Sequence, residues 1–193
     1  MSSESFSDWR PPEGGITAAN LFSLPGLPLL PHTELIAGTL FFPGRQYAFH
    51  DSMIQRVEAG LNAARPDGLV VRPRMSLTLG LRTRVEPDVL VLAAEAQTNV
   101  DQTEYPADAL VLAVEVVAPI SEIRDRELKP QLYAKAGITH FWRVEEDSGK
   151  PVAYVHELDP VNSVYFLTGT HRDRVKLTVP YDIDIDLSGL GEL

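Results

Sequence analysis

Three side chains in this sequence have the types and the setting that metal-assisted hydrolysis requires. Glu115 lies inside Ala109–Ala118, a run that is otherwise apolar. A carboxylate in such surroundings must be paired, metal-bound or protonated, because a bare charge is expensive to remove from water. Asp88 follows Pro87 and opens a second apolar run, Val89-Leu90-Val91-Leu92. Asp125, Lys129 and Tyr133 recur at four-residue spacing and so share one face of a helix. Two hard oxygen ligands with water suit magnesium, with manganese as the alternative. Such a cation activates water and stabilises a phosphoryl transition state. A lysine above the carboxylates would orient or deprotonate the attacking water and offset developing charge.

Each residue has a plainer reading. Asp88 suits a turn after Pro87, Glu115 a buried ion pair with an arginine, and Lys129 a surface salt bridge with Asp125. Their order along the chain favours the metal site. His50, one helical turn before Met53 and Ile54, would face the sheet near that site, although a histidine at a helix start is more often a cap or a packed side chain. Arg72, Arg74, Arg82 and Arg84 form the one basic stretch, with no acid between Val70 and Val85. They suit phosphate contact, or else a solvated strand face. Arg74, Arg82, Arg84 and Tyr133 are the candidate substrate-binding residues.

The elements that must position these groups can be read from hydrophobic periodicity. The run through Glu115 predicts a strand buried on both faces, which Pro119 stops. Ser121 would cap a helix reaching Ala136, with a kink or restart at Pro130 and Gly137 at its end. His50–Ala64 predicts a helix with Met53, Val57, Leu61 and Ala64 as its apolar stripe. Leu35–Phe42, with Gly38 in the middle, predicts a hairpin or bent strand. Further strands are expected over 69–71, 75–79, 89–92, 139–144 and 174–179, with 153–158 and 164–167 as an antiparallel pair. Asp182, Asp184 and Asp186 alternate with apolar residues as on an edge strand. The polar stretch Ala94–Asp108 is long enough for a flap or lid, and its acids Asp101, Glu104 and Asp108 read as solvated. This order gives an α/β (α+β) fold: a central mixed sheet flanked by helices, with additional antiparallel strands.

A chain of 193 residues suits one folded domain, over 33–193, preceded by a proline-rich arm over 1–32. Within the arm only Ile16–Leu24 suits a helical turn or two, and Pro25, Pro28 and Pro31 punctuate the rest. The absence of cysteine excludes disulfides and thiolate zinc sites and fits a reducing cytoplasm. No run approaches the roughly 20 apolar residues of a membrane span. The first residues carry Glu4 and Asp8 without a basic cluster, so no signal peptide is expected. The net charge of -10 argues against loose nucleic-acid binding through a basic surface. It leaves a nuclease open, because bound cations cancel local negative charge.

Glu-Pro-Asp-Val-Leu-Val-Leu (86–92), Val-Glu-Val-Val-Ala-Pro-Ile-Ser (114–121) and the stretch from Asp125 to Val144 resemble the Uma-two family of endonucleases of the restriction-endonuclease-like PD-(D/E)xK superfamily. The resemblance covers about Glu34 to Leu187. It implies a restriction-endonuclease-like central mixed sheet with Asp88 and Glu115 as magnesium ligands. The superfamily places its lysine two residues after the glutamate. Here that residue is Val117, and the family's lysine, on the following helix, matches Lys129. Hairpin acids usual at the positions of Ala37 and Thr39 are missing, so a ligand from the hairpin must be Glu34, and His50 matches a histidine of the first core helix.

The leading expectation is a magnesium-dependent endonuclease that hydrolyses DNA phosphodiester bonds, with DNA as partner and a homodimer conceivable. Asp88 and Glu115 would hold the metal, Lys129 would assist the water, Asp125 and Tyr133 would orient Lys129, and His50 or Glu34 would complete the site. The alternative is a catalytically inactive interaction module that kept the nuclease fold. A weaker third reading is hydrolysis of small phosphodiesters.

Overall fold

In the computed structural model, which describes residues 9–24, 31–45 and 47–188, the apolar run through Glu115 forms β8 (Leu110–Val116), at the centre of the main sheet. One edge of β8 pairs antiparallel with β6 (Val89–Ala93), and the other pairs parallel with β9 (His140–Asp147). Beyond β6 lies β3 (Leu69–Pro73), antiparallel. Beyond β9 lie β10 (Lys150–Asp159) and β11 (Val164–Arg172), the expected antiparallel pair. The strand order is therefore β11-β10-β9-β8-β6-β3.

Both faces of this sheet are covered, which is why β8 lacks an apolar–polar alternation. Leu112, Val114 and Val116 face α1 (Ala48–Ala64) and pack with Met53, Ile54, Val57 and Leu61. Ala113 and Glu115 alternate with them and point to the other side, where Tyr133 and Phe141 contribute to a second cluster. That side is covered by a smaller sheet of β1 (Glu34–Ile36), β2 (Thr39–Phe41), β4 (Ser76–Gly80), β5 (Thr83–Val85) and β7 (Glu104–Pro106), in the order β2-β1-β5-β4-β7. The hairpin expected at Gly38 is β1–β2. Its two central residues, Ala37 and Gly38, have φ of 51° and 83°, the left-handed pair of a type I′ turn.

The helix after Pro119 departs from a regular α-helix. A wide π-helical turn, Arg124–Leu128, leads into α2 (Lys129–Lys135). Pro130 has no N–H to give the Arg126 carbonyl, and its ring crowds that carbonyl. The backbone widens, and the Lys129 N–H bonds to the Arg124 carbonyl instead, five residues back. The break expected at Pro130 thus falls in the turn just before it. Gly137, with φ of 79°, ends α2 as expected.

Ala94–Asp108 is not a free lid. Within it, β7 pairs parallel with β4 and Tyr105 is buried. Glu104 is not merely solvated, since it lies 3.0 Å from Arg84 Nη1 and accepts a hydrogen bond from Thr78. A three-residue parallel strand anchored by one aromatic leaves no periodic signature in the sequence.

Near the start of the chain, Ile16, Leu21 and Leu24 cluster with Leu35, and a short turn of 3-10 helix spans Leu21–Ser23. Glu4, Asp8, Pro25 and Pro28 lie outside the described residues. Among the described residues no helix is long and apolar enough to cross a membrane. The acidic tail strand is β13 (Ile183–Asp186), paired with β12 (Arg174–Leu177). Ile183, Ile185 and Leu187 are buried while Asp182, Asp184 and Asp186 face solvent.

Helix α1 approaches β13 closely at Gly60, where a Cβ would stand 2.6 Å from Ile185 Cγ1. Gly60→Ala is therefore expected to destabilise the protein by about 1–3 kcal/mol through overpacking, against the roughly 1 kcal/mol gain that alanine brings an open helix site. Urea denaturation of the two proteins checks this.

Candidate active site

Glu115 leaves β8 on the α2 side and is 1% exposed, so its charge depends wholly on protein partners. Asp88 immediately precedes β6. Because Val89 pairs with Val114, Asp88 lies across from Glu115 at the same end of the sheet. Its carboxylate is fixed from two elements. The Val116 N–H donates to Oδ2 at 2.7 Å, and His50 Nε2 of α1 lies 3.3 Å from Oδ1.

Lys129 enters from above. Its Nζ is 2.9 Å from Glu115 Oε2, 3.0 Å from Glu34 Oε1 and 3.4 Å from Asp125 Oδ1. The Tyr133 hydroxyl donates to Glu115 Oε1, so both glutamate oxygens are engaged. Glu34 arrives on β1, where its Oε1 also accepts the Glu86 N–H at 2.9 Å. Asp125, Lys129 and Tyr133 are all buried; Asp125 lies beside Lys129 as expected, whereas Tyr133 holds Glu115 and not Lys129. Glu34, Asp88, Glu115, Asp125 and Lys129 border a cavity of about 70 Å³, room for a few water molecules.

Burial pushes the Glu115 carboxyl well above the ordinary carboxylate range. Lys129 opposes that shift, while Asp125, Asp88 and Glu34 add to it. Burial likewise raises Asp125. Burial works against the Lys129 ammonium, but Glu115, Glu34 and Asp125 together outweigh it and hold its pKa well above the usual lysine value. Its three carboxylate neighbours thus favour the ammonium form. Burial and the neighbouring Glu115 also raise Tyr133, which keeps its proton.

The structure brings Glu34, His50, Arg74, Asp88, Glu115 and Lys129 to one cavity. Arg74 borders it through a side chain 3.3 Å from Asp51, and its N–H bonds to the Asp88 carbonyl at 3.1 Å. Three candidate substrate contacts fall elsewhere. Tyr133 is fully buried behind Glu115, so it positions a carboxylate and does not meet substrate. Arg84 is buried against Glu104, with its guanidinium 4.6 Å over the Phe22 ring, and is occupied in joining the N-terminal segment to the small sheet. Arg82 sits on the β4–β5 turn beside Gly15 and Gly38. The segment crosses from one sheet to the other, with Arg72 on β3, Arg84 on β5, and Arg74 and Arg82 in the connections between strands. The sequence reading missed Arg124, Glu86 and the Glu86 partner His32, which line the same cavity. Glu86 carries one weak signal, its place two residues before Asp88.

The acids present are hard oxygen donors, of the kind a divalent cation takes. Glu34, Glu115 and Asp125 surround one ammonium, and Asp88 borders the same cavity. Asp125 Oδ1 is buried without a hydrogen-bond partner, and Asp88 Oδ1 has only the 3.3 Å contact with His50. Among the described residues no three acids or histidines are already gathered as ligands. Lys129 Nζ stands in their midst.

An α+β protein that sets paired carboxylates at the end of a central mixed sheet, beneath a helix-borne lysine, has the restriction-endonuclease-like architecture. The family model described as "Putative restriction endonuclease" matches residues 19–188, and the chain belongs to that family, Uma2. The fold is similar to the crystal structure of "a putative nuclease belonging to DUF820" from Anabaena variabilis. The TM-score is 0.59 at 16% identity, over 80% of this chain and 85% of that one. No curated protein matches the chain.

A group whose folded pKa is raised contributes stability at low pH that is lost as pH rises through the folded value. Glu115 is such a group. In metal-free buffer, Glu115→Gln should therefore gain stability relative to wild type as pH rises from about 4.3, the ordinary glutamate value, through the raised one. Urea titrations of both proteins between acidic and neutral pH give this difference directly, and a difference that is flat with pH would contradict the assignment.

Proposed function

We propose that this protein is a magnesium-dependent endonuclease that hydrolyses DNA phosphodiester bonds. The observation that carries the reading is the meeting of Asp88 and Glu115 at one end of the sheet, 2.9 Å below the Lys129 ammonium on the Glu115 side. Family membership supports the same reaction class.

Asp88 Oδ1 and Glu115 would hold the magnesium ion, with Glu34 as a third oxygen donor from the same cavity. When bound, the ion supplies an activated water and a positive charge for the phosphoryl transition state. The chain's own residues do the rest. The Val116 N–H and His50 fix the Asp88 carboxylate, so that it needs no reorganisation. Tyr133 holds Glu115 from behind. Lys129 faces the incoming phosphodiester and offsets charge that grows on its oxygens. Asp125 keeps the Lys129 side chain over the cavity. His50 acts through Asp88, as a positioning residue.

One observation favours a second reading, an interaction module without catalysis. Lys129 already engages Glu34, Glu115 and Asp125, so the cluster is partly neutralised without a metal. Manganese and magnesium titrations separate the two, since a module has no need of either ion.

Asp88→Ala and Glu115→Ala should each reduce magnesium-dependent cleavage of duplex DNA by at least about a hundredfold while circular dichroism shows an intact fold. Calorimetry should show loss of magnesium binding in both. Cleavage at the wild-type rate in both variants would remove this site from the reaction.

A further inference from the structure

Resting on the nuclease reading, we propose that Arg124 is the residue that grips the scissile phosphate. Nothing in the four-residue pattern of the helix points to it. In an α-helix, residues 124 and 129 lie on different faces, because neighbours on one face are three or four apart. The π-helical turn closes five residues apart, with the Lys129 N–H on the Arg124 carbonyl. That closure brings residues 124 and 129 onto the same side of the helix. Wide turns of this kind recur at functional sites. Pro130 is what enforces it here, so the side-chain placement is written into the backbone.

The environment of Arg124 is that of a cation waiting for an anion. Its guanidinium lies 5.2 Å over the Phe41 ring of the hairpin, which holds it flat. Its nearest carboxylate oxygen, Glu34 Oε2, is 3.9 Å from Nε, beyond hydrogen-bond reach. Nε is buried and has no hydrogen-bond partner. A buried donor in that state loses stabilisation until something accepts from it. The side chain is 20% exposed and borders the same cavity as Asp88 and Glu115. Lys129 is tied to three carboxylates and Arg74 is held by Asp51. Arg124 is thus the cavity cation least committed to the protein. A planar guanidinium with parallel N–H groups matches two oxygens of a phosphodiester.

The test uses the full chain, Arg124→Gln and Arg124→Lys. Cleavage of a duplex is measured in magnesium. Binding of a fluorescent duplex is measured by anisotropy in calcium, and magnesium binding by calorimetry. Arg124→Gln should lower the cleavage rate constant about a hundredfold and duplex affinity about tenfold, with magnesium affinity unchanged within about twofold. Arg124→Lys, which keeps the charge and so covers a misfolded glutamine variant, should recover part of the affinity but little of the rate, because the fork is gone. Cleavage and binding at wild-type levels in Arg124→Gln would overturn the assignment and leave the nuclease reading standing. A loss of magnesium binding in step with cleavage would also overturn it, placing Arg124 behind Glu34. A wild-type protein that neither binds nor cleaves the duplex would overturn the nuclease reading and this assignment together.

Discussion

The constraint on which the site depends is a carboxylate that the fold has removed from water. Glu115 sits mid-sheet with apolar neighbours on its own strand and a helix above it. Each ion moved into such a place loses several kcal/mol of hydration in rough terms, and only close partners restore it. Lys129 and Tyr133 are those partners, one for each oxygen. Yet the same ammonium also serves Glu34 and Asp125, so positive charge is spread over more carboxylates than it can neutralise. The cluster is therefore poised. It is tied together well enough to fold, although the acids at its centre outnumber the ammonium between them. Stability alone would be better served by apolar residues of similar size, so the retained charge points to use.

The rest of the structure can be understood as the means of holding that cluster still. The long sheet fixes Asp88 and Glu115 through paired strands, which are stiffer than loops. The small sheet exists on the side where Glu115 emerges, and its first strand carries Glu34 to Lys129. Helix α1 closes the opposite face and sends His50 around the sheet end to Asp88. Each ligand candidate thus comes from a different element, and the cavity forms only when all of them pack. Pro130 adds a local device, since by forbidding one backbone hydrogen bond it widens a single turn and turns an arginine toward the cavity.

Much of this was legible from residue order. Continuous apolar runs locate β8 and β6, which are covered on both faces, a period of 3.6 locates α1, and a period of two locates the acidic edge at β13. Glu115 stood out because a charge breaks an apolar run, and Asp125–Lys129–Tyr133 because four-residue spacing maps onto one helix face. What stayed hidden depends on contacts between distant segments. β7 is too short for a pattern, and its parallel pairing with β4 has no local trace. Arg72, Arg74, Arg82 and Arg84 looked like one basic patch, but β3 and β5 belong to different sheets. Arg74 therefore reached the cavity while Arg84 became a buried partner of Glu104. Arg124 was hidden for a different reason, since helical spacing rules assume a regular helix.

The acidity of the chain, -10 overall, then has a physical reading. Strong non-specific binding to nucleic acid comes from many lysine and arginine contacts with phosphates, and this protein does not present them in a continuous stretch. Two of the four arginines in its one basic segment are turned to the small sheet. At the cavity both signs meet, with Arg74, Arg124 and Lys129 beside Glu34, Asp88, Glu115 and Asp125. On the nuclease reading, a chain of this charge would engage one phosphate at the cavity in preference to tracking an extended backbone. In that arrangement a metal ion would matter for approach as well as for chemistry, since it lowers the local negative charge that otherwise confronts the backbone.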